Sequence, residues 1–154
     1  MTKPHRLASA LYRGTIRITF SLRLNTTTAF FNSPGRVDPF VAILADARTK
    51  HACRNRVYIF MPDHMHVLNE GLAPDSDLLK MMYLFKQKTG YWLAKHGGGV
   101  MWQPGFYDHI HRQEEDLRKH IRYILDNPVR KGIVGHWNDH PFTGSLDFPI
   151  SDII

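Results

Sequence analysis

Pro62-Asp63 separates two strand-like runs, and nothing else in the chain constrains its fold as strongly. Before it, Val57-Tyr58-Ile59-Phe60-Met61 is apolar at every position, the pattern of a strand buried on both faces and therefore central. After it, residues 64–70 read as a strand that comes back, so the pair is a β-hairpin turning at Pro62-Asp63. The sheet that contains them is antiparallel at this point. Side chains alternate along a strand, so His64 and His66 share one face while Met65 and Val67 share the other. Two imidazoles on one face of a rigid element form half of a metal site.

The flanking segments extend the pattern. Residues 1–12 form a loose basic start. Residues 14–24, Gly-Thr-Ile-Arg-Ile-Thr-Phe-Ser-Leu-Arg-Leu, alternate apolar and polar positions and predict a half-buried strand. The cluster Asn32-Ser33-Pro34-Gly35 is a loop, and Phe40, Val41, Leu44 and Ala47 recur at helical spacing within a first helix over 37–50. A second helix over 77–95, capped by Asp75 or Ser76, buries Leu78, Met81, Met82, Phe85, Trp92 and Leu93. Gly97-Gly98-Gly99 ends it. Residues 100–112 read as a fourth strand, and 114–127 as a third helix stopped by Pro128. The first six elements spell βαββαβ, so the expected class is α+β: a ferredoxin-like sandwich, an antiparallel sheet with helices on one face, followed by a C-terminal helix. One domain over 1–154 is expected, with residues 133–154 as an irregular tail.

The chain of 154 residues is long enough for a core of its own. Twenty Lys and Arg against 14 Asp and Glu leave a formal charge of +6, which favours a polyanionic partner, nucleic acid ahead of membrane. A lone cysteine, Cys53, excludes an internal disulfide and suggests a reducing compartment. No apolar run approaches the roughly 18 residues that cross a bilayer. Arg13 and Arg17 interrupt the hydrophobic stretch a signal peptide needs, so a cytoplasmic protein with no membrane partner is expected.

The third helix carries the second informative pattern. Leu117, Ile121, Ile124 and Leu125 fall in one stripe, while Tyr123 and Asn127, four apart, stack on a face off that stripe with Asp116 and His120 near it. A tyrosine followed one turn later by an amide, both turned from the core, has the makings of a site. On these residues alone a plainer reading stands beside it: an edge tyrosine, with Asn127 closing the helix before Pro128.

Three segments in order, Met61-Pro62-Asp63-His64-Met65-His66, Trp102-Gln103-Pro104-Gly105-Phe106-Tyr107-Asp108-His109 and Tyr123-Ile124-Leu125-Asp126-Asn127-Pro128-Val129-Arg130-Lys131-Gly132, resemble the HUH endonuclease superfamily. Within it they resemble the single-tyrosine transposases, and their REP-associated branch in particular. The similarity runs from the first strand to about Phe142. It implies that His64, His66 and Asn127 hold a divalent cation, Mg²⁺ or Mn²⁺, and that Tyr123 is the nucleophile. It implies cleavage and rejoining of single-stranded DNA at hairpin or palindromic repeats through a 5′-phosphotyrosine. His120 is an assisting residue in this reading, and Lys86, Lys88, Arg118, Lys119, Arg122, Arg130 and Lys131 are phosphate contacts. Monomer and homodimer both occur among such proteins.

Two other readings compete. One is a DNA-binding module of the same fold that has lost its chemistry, which the intact Tyr123, His64, His66 and Asn127 argue against. The other is a structural Zn²⁺ protein, which lacks the Cys or second His pair to close a four-ligand shell. His109 is expected as a hydrogen-bonded core histidine, and His136 and His140 as packing over the sheet.

Overall fold

The computed structural model describes residues 6–152. Strand β1 (Arg17–Arg23) is followed by α1 (Pro34–Lys50), the hairpin β2 (Cys53–Met61) and β3 (His64–Gly71), α2 (Leu78–His96), β4 (Tyr107–His111) and α3 (Glu114–Leu125). A short α4 (Asn127–Arg130) and a two-residue strand β5 (Thr143–Gly144) complete it. The strands lie in the order β4-β1-β3-β2-β5, and every neighbouring pair is antiparallel. This is the expected ferredoxin-like arrangement, and β2 and β3 lie in its interior as the apolar runs require.

Alternation along the strands gives the sheet two unlike faces. Phe20, Leu22, Phe60, Met65 and Val67 point to one, where α1 and α2 cover them with Phe40, Leu44, Met81, Met82 and Phe85 in the main core. Val57, Ile59, Met61 and Leu68 point to the other, where α3 lays Leu117, Ile121, Ile124 and Leu125 on them. Burying each such side chain is worth on the order of 1.5–3 kcal/mol, so the stripe fixes which way α3 is turned. Its first turn carries Glu114, Glu115 and Asp116 at the positive end of the helix dipole.

Several boundaries differ from those read in the sequence. Strand β4 is limited to five residues, and 100–106 is a loop that pairs only at an isolated antiparallel bridge from Trp102 to Leu24. Pro104 has no N–H for a ladder and Gly105 sits at φ +72°, while Lys86 Nζ donates to the carbonyls of Gln103 (2.9 Å) and Gly105 (2.7 Å). Asp77, rather than Asp75 or Ser76, caps α2 by accepting from Lys80 N at 2.9 Å. Pro128 does not end the helical path: α3 stops at Leu125, and Pro128 falls in the first turn of α4, where its missing N–H costs little. The C-terminal tail is more regular than expected, since β5 adds an edge to β2 and Asp147 accepts from Asn55 N at 2.7 Å. At the other end, residues 1–5 lie outside the described residues, but Arg6 pairs with Asp108 at 2.5 Å and Tyr12 is buried. Among the described residues no helix is long and apolar enough to cross a membrane.

Candidate active site

β3 presents His64 and His66 to the face that α3 covers, in the pleat that sends Ile59 and Met61 the same way. Beyond the apolar stripe of α3, the helical path through Asp126 keeps Tyr123 and Asn127 on one side. Asp126 stays helical (φ −80°, ψ −4°), which preserves the four-residue stacking across the break before α4. Together these residues line one cavity of about 470 Å³: His64, His66, Tyr123 and Asn127, with Arg23, Asp63 and Lys131 among its walls. Tyr123 is 62% exposed and Asn127 only 8%, so the phenol is open to a substrate while the amide sits at the floor.

The imidazoles are held as cation ligands usually are. His64 Nδ1 lies 2.7 Å from Asp63 Oδ1, and His66 Nδ1 lies 2.6 Å from Ser21 Oγ. With both Nδ1–H groups donating to these oxygens, each Nε2 keeps its lone pair. Two imidazoles on one ion, with nitrogen at about 2.1 Å, have ring centres about 4.5–5.2 Å apart for angles of about 90–110°. The His64 and His66 ring centres are 5.0 Å apart, with planes at 81°. Among the described residues no three His, Cys, Asp or Glu side chains gather as a ready metal cage. The set that could hold a divalent cation here is instead two imidazoles with Asn127 lining the same cavity, which leaves open positions for substrate.

Electrostatics keep these rings neutral. Burial lowers the His64 pKa, partly offset by its bond to Asp63. Burial, followed by the charges of His64 and Arg23, brings His66 down to about 3. An imidazole that stays unprotonated near neutral pH remains available as a ligand.

The remaining sequence expectations divide. Lys131 lines the cavity, and the Arg130 guanidinium lies 3.8 Å from the centre of the Tyr123 ring. His120 stacks beside that ring at 6.2 Å and 28°, and burial, then the charge of His109, brings its pKa to about 4. Arg118 and Lys119 form exposed pairs with Glu114 and Glu115 one turn away, at 3.9 and 3.3 Å. Arg122 lines a separate hollow with Leu125, Asp126 and Trp137. Lys86 and Lys88 belong to α2, on the opposite face of the sheet from the cavity, and Lys86 is tied to loop carbonyls. His109 is exposed on β4 rather than buried, because the edge strand leaves its outer side uncovered. His140 is buried over the sheet with Nε2 2.8 Å from Phe60 O, as expected, while His136 is exposed.

Arg23, Ser21 and Asp63 were missing from the sequence reading. Asp63 stands next to His64 and was absorbed into the turn. Ser21 and Arg23 become site residues because β1 lies beside β3, in a register that sets Ser21 against His66 and Arg23 against His64.

No protein-family model matches the chain. Over 88 residues, 56% of this chain, it is 32% identical to the REP-associated tyrosine transposase of Escherichia coli strain K12, of which the match covers 50%. A Haemophilus influenzae protein that carries the same name provisionally is 30% identical over 96 residues, 54% of this chain and 53% of that protein. The chain thus spans about half the length of the curated relatives it matches. A solved REP-associated tyrosine transposase bound to a REP hairpin superposes with a TM-score of 0.75 at 22% identity, over 93% of this chain and 82% of the other. That likeness is one of fold, a five-stranded antiparallel sheet flanked by helices.

Proposed function

We propose that this chain, a relative of the REP-associated tyrosine transposases, is a divalent-cation-dependent endonuclease that cuts and rejoins single-stranded DNA at hairpin repeats. One observation carries the reading: Tyr123, His64, His66 and Asn127 line the same cavity, walled also by Arg23 and Lys131. Cleavage of a phosphodiester requires an oxygen nucleophile in line and charge neutralised on the non-bridging oxygens. Tyr123 supplies the first from an exposed position that a flexible strand reaches more easily than a stacked duplex. Arg23 and Lys131 supply part of the second as cations in the cavity wall.

A divalent cation held by His64, His66 and Asn127 would act as a Lewis acid on the phosphate. Attack by Tyr123 Oη forms a bond to phosphorus as the bond to the 3′-oxygen breaks. That oxygen leaves with a proton as a 3′-hydroxyl, and the 5′-phosphate stays on the tyrosine. A 3′-hydroxyl from a second end reverses the step, so rejoining needs no ATP. With a pKa near 4, His120 is a weak acceptor for a phenol proton, which ordinarily leaves near pH 10, so its part here is to stack on the tyrosine ring. The hairpin substrate is suggested by the relative solved with a REP hairpin.

The test is a labelled single-stranded hairpin repeat incubated with the protein and Mn²⁺, then run under denaturing conditions. A covalent protein–DNA adduct is expected from the wild type and none from Tyr123→Phe. An adduct that survives Tyr123→Phe overturns the nucleophile, and no adduct from wild type on any flanking repeat overturns the enzyme.

A further inference from the structure

On the face that carries the cavity, but nearer the open edge of the sheet, three histidines face one another. His109 and His111 are two apart on β4 and share a face, and His120 reaches them from α3. Their ring centres are 4.6 Å (His109 to His111), 4.5 Å (His111 to His120) and 5.3 Å (His109 to His120) apart. Two of these separations fall within the roughly 4.5–5.2 Å expected of imidazoles that share one ion, and the third lies just beyond it.

His111 is the anchor of the group. It is 3% exposed, its Nε2 lies 2.8 Å from Thr19 Oγ1, and its Nδ1 is buried with no hydrogen-bond partner. Leaving such an atom unsatisfied costs on the order of 1–3 kcal/mol, so its presence calls for a partner. With Nε2–H donating to Thr19, the orphaned Nδ1 is a bare lone pair. Asp116, one helical turn before His120, lines with His109 a hollow of about 540 Å³ beside the group. It is a carboxylate in reach of a fourth position.

We propose that His109, His111 and His120 bind a transition-metal ion of the Zn²⁺ class, with Asp116 or water completing the shell, at a site separate from His64, His66 and Asn127. As the side chains stand, no three donors among the described residues converge on one point. Binding requires rotation about χ2 of His109, which is exposed, and of His120, which is half-buried, to bring their nitrogens towards His111 Nδ1. A bound ion fastens α3 to the edge strand three residues before Tyr123. The proposal does not rest on the strand-cleaving reading, and its test uses no DNA.

The full chain, stripped with a chelator, is titrated with Zn²⁺ by calorimetry and with Co²⁺ by visible absorption. His64→Ala/His66→Ala, which lacks the other candidate cation site, is expected to keep one bound Zn²⁺ and the Co²⁺ d–d bands, and to lose both once it also carries His109→Ala/His120→Ala. At a hundredfold excess over Kd, Zn²⁺ is expected to raise the unfolding midpoint by roughly 5–10 °C in wild type and in His64→Ala/His66→Ala. No such shift is expected in His64→Ala/His66→Ala once it also carries His109→Ala/His120→Ala. These two positions are chosen over buried His111 so that both variants fold. Unchanged stoichiometry, bands and midpoint shift when His109→Ala/His120→Ala is added to His64→Ala/His66→Ala would overturn the site.

Discussion

Replacing Asp63 by Asn should weaken cation binding without touching a ligand. Asp63 Oδ1 accepts from His64 Nδ1 at 2.7 Å, and the His64 ring is 6% exposed. The bond sets which ring nitrogen keeps its lone pair and which way the ring faces. A hydrogen bond to a charged partner contributes about 1.5–3 kcal/mol. The Asp63 side chain is 35% exposed, so water replaces part of what is lost and the lower half of that range applies. About 1.5–2.2 kcal/mol corresponds to roughly 10–40-fold in Kd, within the range expected when a partner that orients a ligand is lost. Calorimetric titration with Mn²⁺ on Asp63→Asn, Ser21→Ala and His64→Ala measures it. Ser21→Ala should weaken binding less than Asp63→Asn, because a neutral hydroxyl holds His66. The unfolding midpoint of Asp63→Asn should stay within about 2–4 °C of wild type, since the residue lies in a partly exposed turn. A Kd within twofold of wild type for Asp63→Asn, alongside loss of binding in His64→Ala, would refute the claim that the carboxylate orients the ligand.

Ile121→Ala removes a buried side chain from the seam between α3 and the sheet. It should destabilise the protein by about 2–5 kcal/mol, seen as a lower midpoint in denaturant unfolding. Gly71→Ala places a methyl group onto the carbonyl oxygen of Gly14, a backbone atom that cannot step aside. A loss of about 1–3 kcal/mol or more is expected, measured the same way. In chelator-treated protein, stability should fall with pH. His66 and His111 are held near 3 and His120 near 4, against an ordinary 6.5, so below 6.5 the unfolded chain binds protons that the folded one does not. Their contribution is complete above pH 6.5 and is lost on descending towards 3–4. A denaturant midpoint that stays flat from pH 7 to 4.5 would contradict it.

The fold was legible wherever burial is periodic. The apolar run 57–61, the two-residue turn and the returning strand specified β2 and β3 and their pairing, since a one-residue slip would carry Leu68 into the main core and Val67 out of it. Boundaries were lost where a single residue overrides the pattern. Trp102 and Phe106 look like strand residues, but Pro104, Gly105 and the reach of Lys86 limit 100–106 to one isolated bridge, Trp102 to Leu24. Pro128 looked like a stop because proline excludes helix before it, but one turn of a new helix accepts it at its start. The tail showed no periodicity because a two-residue strand spans a single alternation and repeats nothing.

The site was readable only as far as residues share an element. His64 and His66 share a strand, and Tyr123 and Asn127 share a helical path, so each half was visible as spacing. What joins the halves is the division of one sheet face into an apolar part and a polar part. Val57, Ile59, Met61 and Leu68 hold α3 by its stripe, which obliges the Tyr123 side of the helix to overlook the polar strip of β3, β1 and β4. That strip carries His64 and His66, then Ser21, Thr19 and Arg23, then His109 and His111, in consecutive strands of the sheet. The strand order β4-β1-β3, set by long-range pairing, therefore decided which polar side chains became neighbours. Arg23 joined the cavity, Ser21 came to hold His66, and a histidine pair on β4 met His120, through a neighbour relation that no local stretch of sequence contains.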